Sequence, residues 1–253
     1  MVKIVITGAN GKMGKVVASL ASAREDCTVI AGIDLNDTPN GSFPIVKDPF
    51  SLVEKPDVII DFSHPSALEN LLSYGTIHRV PIVAATTGYT AEQIDKIKKA
   101  SEQIPIFFTF NLSLGINLLV ELGRRAAAVL GSQYDIEIVE KHHNLKKDAP
   151  SGTAIMIADA LNDELDHKMK YVYDRHNVRK ARDANEIGLH SIRGGTIVGE
   201  HDIIFAGHDE VITLSHSAGS KEVFANGALN AAIYLAAKTS GLFDMSDLLK
   251  SAE

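Results

Sequence analysis

Short apolar runs alternate with amphipathic stretches through the first 113 residues. Ile4, Val5 and Ile6 lead into Thr7-Gly8-Ala9-Asn10-Gly11-Lys12-Met13-Gly14, followed by a helical pattern to about Arg24. A second run over 28–33 ends at Asp34. The same alternation predicts strands over 57–62, 81–84 and 105–108, and helices over 65–78 and 91–102. Short runs without polar alternation are buried on both faces, which is the signature of parallel strands covered by helices. The expected fold of this part is therefore α/β, a Rossmann-like doubly wound parallel sheet.

The pattern changes from Leu114. A helix over 115–130 is rich in small residues and suits a connector between domains, and 134–138 alternates polar and apolar as a half-exposed strand does. A basic loop and a helix to about Leu161 follow, and then a highly charged stretch over 163–185 that reads as surface turns. Three strand-like segments over 188–193, 199–205 and 210–217, separated by glycine-containing turns, predict an antiparallel meander. The second part is thus expected to be an α+β domain with a mainly antiparallel sheet. An apolar helix over 223–238 and a short one over 246–251 close the chain. The expected division is a dinucleotide-binding domain over 1–113, with 219–253 packing back on it, and a substrate-binding domain over 114–218.

Composition excludes several classes. The chain of 253 residues has an ordinary 45% of hydrophobic residues, a net charge of -7 and no Trp. With no long basic stripe, nucleic acid is not the expected partner. No run approaches the roughly 20 apolar residues needed to span a bilayer, and no export signal precedes the first strand. A single cysteine, Cys27, fits a reducing compartment. A cytoplasmic protein acting on small molecules is expected.

The glycine turn carries the first chemistry. Strand, glycine turn, helix, strand and then an acid, Asp34, is the order that brings a pyrophosphate to a helix N-terminus and a ribose hydroxyl to a carboxylate. Gly8, Ala9, Asn10, Gly11, Lys12, Met13, Gly14 and Asp34 are accordingly candidate cofactor residues. Ligands of such sheets lie beyond the carboxyl ends of the strands, which adds Phe62, Ala85, Thr86, Thr87, Phe108, Thr109, Phe110 and Asn111. His64, beside Pro65, reads as a turn residue.

The second chemistry lies in 140–154. Lys141, His142, His143, Lys146 and Lys147 face only Glu140 and Asp148 in this acidic protein. Pro150, Ser151, Gly152 and Thr153 then open an apolar helix. Cations followed by a helix N-terminus attract an anion. Hydride addition to a conjugated C=N or C=C system leaves an electron pair that must be protonated, and a nearby imidazolium or ammonium is a suitable donor. The expected arrangement is an anionic substrate on this loop, meeting a nicotinamide in a crevice between the domains. No metal is expected, because His-Glu-x-x-His and paired-Cys spacings are missing. Two alternatives remain: a short-chain-type Rossmann oxidoreductase using Tyr234 and Lys238 on another anionic substrate, and a dinucleotide sensor without turnover.

The loop, Glu140-Lys141-His142-His143 with Lys146 and Asp148-Ala149-Pro150-Ser151-Gly152-Thr153-Ala154, resembles the signature of the 4-hydroxy-tetrahydrodipicolinate (dihydrodipicolinate) reductase family. The resemblance extends to Gly8 through Gly14, Asp61-Phe62-Ser63, Thr86-Thr87-Gly88, Asn111, Ser113, Gly115, Asn117, Ser191-Ile192-Arg193 and Val198-Gly199-Glu200-His201. It implies a two-domain homotetramer joined through the second domain's sheet, using NADH or NADPH in lysine (diaminopimelate) biosynthesis. It implies catalytic roles for His142 and Lys146. It also implies a pyridine dicarboxylate held by His143, Lys146, Gly152 and Thr153, with Ser151 and Arg193 as further contacts. The sequence departs from the family pattern at Asn144 and Leu145, where many members carry Arg and His, and at Ala85, where glycine is usual. Leu35 and Asn36 follow Asp34 where some members place an Arg for the 2′-phosphate, so a lean toward NADH is expected, with Lys12 still able to meet a 2′-phosphate.

Overall fold

A computed structural model describes residues 1–39 and 42–251. The chain runs β1 (Val2–Thr7), α1 (Lys12–Ser22), β2 (Cys27–Ile33), β3 (Ile45–Val46), β4 (Val58–Asp61), α2 (Leu68–His78), β5 (Ile82–Ala84), α3 (Ala91–Ser101) and β6 (Pro105–Phe108). It continues through α4 (Leu114–Leu130), β7 (Asp135–His142), α5 (Gly152–Glu164), β8 (Lys170–Val172), β9 (Glu186–Arg193), β10 (Gly199–Ala206) and β11 (Val211–Ala218). It ends with α6 (Glu222–Ala236), β12 (Gly241–Phe243) and α7 (Met245–Lys250). Two compact units result: Met1–Leu114 with Lys221–Glu253, and Gly115–Ser220. No described helix is long and apolar enough to cross a membrane.

The first unit is a seven-stranded sheet of order β12-β6-β5-β4-β1-β2-β3, and each neighbouring pair in it is parallel. Successive residues of one strand feed opposite faces. Ile4 and Ile6 join Val58, Ile60, Val83 and Phe107 under α1 and α6, while Val5 joins Ile59, Ile82 and Ile106 under α2 and α3. Burial on both faces explains the uninterrupted apolar runs. Strand order reverses between β1 and β4, and that is where an open α/β sheet parts at its carboxyl edge to admit a ligand. The short strands β3 and β12, absent from the sequence-based expectation, extend the two edges. Two or three residues are too few to show a period.

The second unit is a five-stranded sheet of order β11-β10-β7-β9-β8. Here the structure corrects the expected meander. β7 lies between β9 and β10, antiparallel to β10 and parallel to β9. β8–β9 is also parallel and β10–β11 antiparallel, so the sheet is evenly mixed. The reason is α5, a crossover helix between β7 and β9, which returns the chain in the same direction. The segment 163–185 is not all surface turn, because it contributes β8. The core beneath the sheet is Ile136, Ile138, Leu189, Ile203 and Phe205 packed on Ile157, Ala158 and Leu161 of α5.

Candidate active site

The first unit presents a cavity of about 510 Å³ at the strand-order reversal, lined by Thr7, Gly8, Gly11, Asp34, Phe62 and Ser63 among others. The glycine turn is shaped by close approach. A side chain at Gly8, where φ is +71°, would stand 2.4 Å from the Phe62 carbonyl oxygen, and one at Gly14 would stand 2.2 Å from that of Gly8. The backbone N–H groups of the turn are spent internally. Gly8 and Ala9 donate to the Ile33 carbonyl at 2.8 and 3.4 Å, and Gly11 donates to that of Gly8 at 2.9 Å. Asn10 N–H donates to Asp34 Oδ2 at 2.9 Å. Gly11 caps α1 without a side-chain hydrogen bond. The donors left at this end by helix geometry are therefore the amides of Lys12, Met13 and Gly14. The Met13 side chain packs into the core and Lys12 is exposed.

Asp34 is held ready rather than loose. Its other oxygen accepts from Asn36 N–H at 3.0 Å, and Asn10 Nδ2 braces the same loop by donating to the carbonyls of Asn36 at 2.6 Å and Thr38 at 3.0 Å. Each Asp34 oxygen keeps lone-pair capacity for a ribose hydroxyl. Leu35 and Lys47 line the same cavity, and Lys47 pairs with Asp37 at 3.2 Å. Glycine geometry, uncapped helix and carboxylate fit a dinucleotide.

The strand ends are organised by Asp61, to which sequence reasoning gave no role of its own. Its buried carboxylate accepts from Thr7 Oγ1, from Ser63 Oγ at 2.5 Å and from Tyr89 OH at 2.9 Å. Burial, reinforced by the Asp61 charge, pushes the Tyr89 phenol well up. Ala85 N–H and Thr86 Oγ1 bond the Asp61 carbonyl at 3.0 and 3.4 Å. Thr87 is exposed beside them. Beyond β6, Thr109 Oγ1 donates to the Asn111 carbonyl at 3.1 Å, and Asn111 Oδ1 accepts from Ser113 N–H at 2.8 Å. Phe108 and Phe110 stack edge to face, leaving Phe110 exposed. His64 Nδ1 accepts from Ser66 N–H at 3.2 Å and caps a single helical turn over Pro65–Ala67.

In the second unit β7 continues through His142, four residues beyond the expected strand. Residues two apart share a face, so Ile136, Ile138, Glu140 and His142 all point inward. Lys141 points the other way and pairs with Glu200 at 3.0 Å and Asp202 at 3.4 Å. Register brings Arg193 of β9 beside His142 and His201 of β10 beside Glu140. Glu140, wholly buried, accepts from His142 Nδ1 at 2.6 Å, from Arg193 Nη1 and Nη2 at 2.8 and 2.7 Å, and from Ser151 N–H at 3.1 Å. Burial alone would raise this carboxyl, but the hydrogen bonds from Arg193 and His142 outweigh it and hold it at about 2. Past the strand, Lys146 Nζ reaches Asp148 Oδ2 at 2.8 Å. A buried Nδ1 of His143 has no protein partner. Ala149–Pro150 is cis.

Ser151 caps α5, its Oγ accepting from Ala154 N–H at 3.1 Å and meeting His201 Nε2 at 3.1 Å. Gly152 follows, and nothing lies within 4 Å of where its Cβ would be. Burial, with a smaller contribution from His142, lowers His201 to about 4. Ser151 is buried with its hydroxyl engaged in the cap, and the Arg193 guanidinium is committed to Glu140 and to the Ile192 and Asp148 carbonyls. Both are built into the frame of the site, with Gly152 exposed and Thr153 half-buried at the start of α5. On β9, His190 Nε2 lies 2.7 Å from Glu137 Oε2. Tyr234 and Lys238 form a packing contact, the ammonium 4.2 Å from the ring centroid. Sequence reasoning missed Glu140, although its i,i+2 spacing from His142 on a strand was the available signal.

Comparison with known proteins gives a concordant result. Residues 2–112 match the family model for dihydrodipicolinate reductase, N-terminus, and residues 115–249 match that for its C-terminus. The chain is 53% identical over 250 residues to the 4-hydroxy-tetrahydrodipicolinate reductase of Caldanaerobacter subterraneus subsp. tengcongensis, covering 99% of each. It is 45% identical over 251 residues to that of Clostridium tetani, covering 99% of this chain and 98% of the other. Among solved structures it is similar to the dipicolinate-bound dihydrodipicolinate reductase from Paenisporosarcina sp. TG-14, with TM-score 0.79, 25% identity, and 96% of this chain and 97% of that one covered.

Proposed function

The chain belongs to the dihydrodipicolinate reductase family, and from that premise we propose how its residues perform the family's reaction. It is an NAD(P)H-dependent oxidoreductase that reduces 4-hydroxy-tetrahydrodipicolinate to tetrahydrodipicolinate in lysine (diaminopimelate) biosynthesis. The 4-hydroxyl leaves as water together with a hydrogen of the adjacent ring carbon, hydride adds at the carbon that bore the hydroxyl, and a proton adds at its neighbour. The dinucleotide, when bound, supplies the hydride. The amides of Lys12, Met13 and Gly14 hold its pyrophosphate, and Asp34 accepts from a ribose hydroxyl. Phe62, Ala85, Thr86, Thr87 and 108–111 border the nicotinamide half.

In the second unit the substrate dicarboxylate is held by His143, Lys146 and the first turn of α5 at Gly152 and Thr153. His142 and Lys146 are the catalytic residues: Lys146 donates the proton and His142 stands opposite the charge that develops on the ring. What supports this reading most directly is the hydrogen-bonded frame in which Glu140 ties His142 to Arg193 and to the N-cap residue of α5. NADH is the preferred donor in this proposal, because a carboxylate at Asp34 with Leu35 beside it disfavours a 2′-phosphate. A cytoplasmic homotetramer joined through the second unit's sheet completes it, supported by the exposed apolar Val211 and Ile212 on edge strand β11.

The test is loss of nicotinamide absorbance with freshly generated substrate. His142→Gln and Lys146→Ala should each lower kcat by about 100- to 10,000-fold, with the KM for dinucleotide unchanged. No turnover by the wild type would defeat the enzyme reading, and near-normal kcat in the variants would defeat the residue assignment. Equal or better kcat/KM with NADPH would overturn the cofactor preference.

A further inference from the structure

We propose that Glu140 is a positioning residue that decides which nitrogen of His142 works, binding Nδ1–H and leaving Nε2 as the atom facing the substrate. This deepens the catalytic reading above and rests on it. Glu140 is a buried carboxylate with Arg193 as its countercharge, the two groups joined fork to fork at 2.7 and 2.8 Å. With that charge balanced, the carboxylate acts on His142 as a hydrogen-bond acceptor. An ionised carboxylate has no proton to give. A contact of 2.6 Å between Glu140 Oε2 and Nδ1 therefore requires the ring to carry its proton on Nδ1. In the neutral ring the lone pair then sits on Nε2.

The other side of the ring fits the same assignment. Nε2 faces Gly199, the first residue of β10, where a side chain would stand 3.2 Å away. Glycine thus keeps the space beside Nε2 clear. His201 meets the His142 ring edge to face, with centroids 5.3 Å apart. His201 is itself held to Ser151 Oγ at 3.1 Å. The fourth donor to Glu140 is Ser151 N–H at 3.1 Å. One carboxylate therefore references the His142 ring and the start of α5 to each other. Side-chain rotamers locked this way hold a reacting atom within the small tolerance that catalysis requires.

The experiment is long-range ¹H–¹⁵N NMR on the full-length protein labelled with ¹⁵N-histidine, with His142 identified by the signals missing in His142→Gln. The neutral ring is expected to be the Nδ1–H tautomer. Glu140→Gln is expected to lower kcat at least about 10-fold, to shift the His142 Nδ1 resonance, and to leave the KM for NADH unchanged. An Nε2–H tautomer in the wild type overturns the proposal, and that measurement needs no variant to fold. So does normal kcat in Glu140→Gln. Near-normal kcat in His142→Gln instead removes the catalytic reading beneath it, so the two failures are distinguishable.

Discussion

Single side chains in the second unit set its response to acid. The pH dependence of stability follows the difference in bound protons between unfolded and folded chains. His201 sits at about 4 when folded, against an ordinary value near 6.5, so between those values the unfolded chain binds more protons. Its full contribution is therefore present above about pH 6.5 and is lost as pH falls toward about 4. Glu140 acts in the same direction lower down, from an ordinary value near 4.3 to about 2. Melting temperature should fall as pH drops from 6.5 to 4, and His201→Phe should flatten that slope while lowering the neutral-pH value. Equal slopes for the two proteins would show that His201 does not carry the effect. His201 and Glu140 were not candidates in the sequence because a buried polar residue is recognised by its partners. Ser151, the partner of His201, is 50 residues from it, and Arg193, the countercharge of Glu140, is 53 residues from that carboxylate.

At the scale of elements, glycines mark where backbones press together. A Cβ at position 227 in α6 would lie 1.7 Å from the Leu112 carbonyl oxygen. In an exposed helix interior, Gly→Ala gains roughly 1 kcal/mol. Here the clash reverses the sign, and Gly227→Ala should destabilise by about 1–3 kcal/mol, read from the denaturant midpoint. A stabilised variant would mean that α6 does not lie as close to Leu112 as described. Gly14→Ala acts on function instead, because its Cβ would meet the Gly8 carbonyl oxygen at 2.2 Å at the base of α1. It should raise the KM for the nicotinamide dinucleotide at least about 10-fold while the KM for the dicarboxylate substrate stays at the wild-type level. Equal losses for both ligands would argue for general unfolding. The glycine turn was legible because turn chemistry is local, whereas the close approach at Gly227 depends on a loop that precedes it by more than a hundred residues.

Across the whole molecule, the proposed assembly makes its own prediction. Light scattering on the eluting protein should give four times the chain mass, and replacing Val211 with Glu on exposed β11 should lower it, since a charge on that strand opposes pairing or packing of copies. A monomeric wild type would overturn the assembly. The sequence by itself determined the parallel α/β sheet, the glycine turn with Asp34, and the motif over 142–153, because periodicity, turn residues and short motifs are properties of neighbours along the chain. Only the tertiary structure decided that β7 stands between β9 and β10. Strand pairing is set by which faces can be buried together, and the same apolar pattern permits several orders. From that pairing follow the placement of Arg193 beside His142 and the commitment of Arg193 and Ser151 to the frame. Glu140 becomes the residue that joins them: its i,i+2 spacing from His142 is visible along the chain, but its bonds to Arg193 and Ser151 depend on the fold.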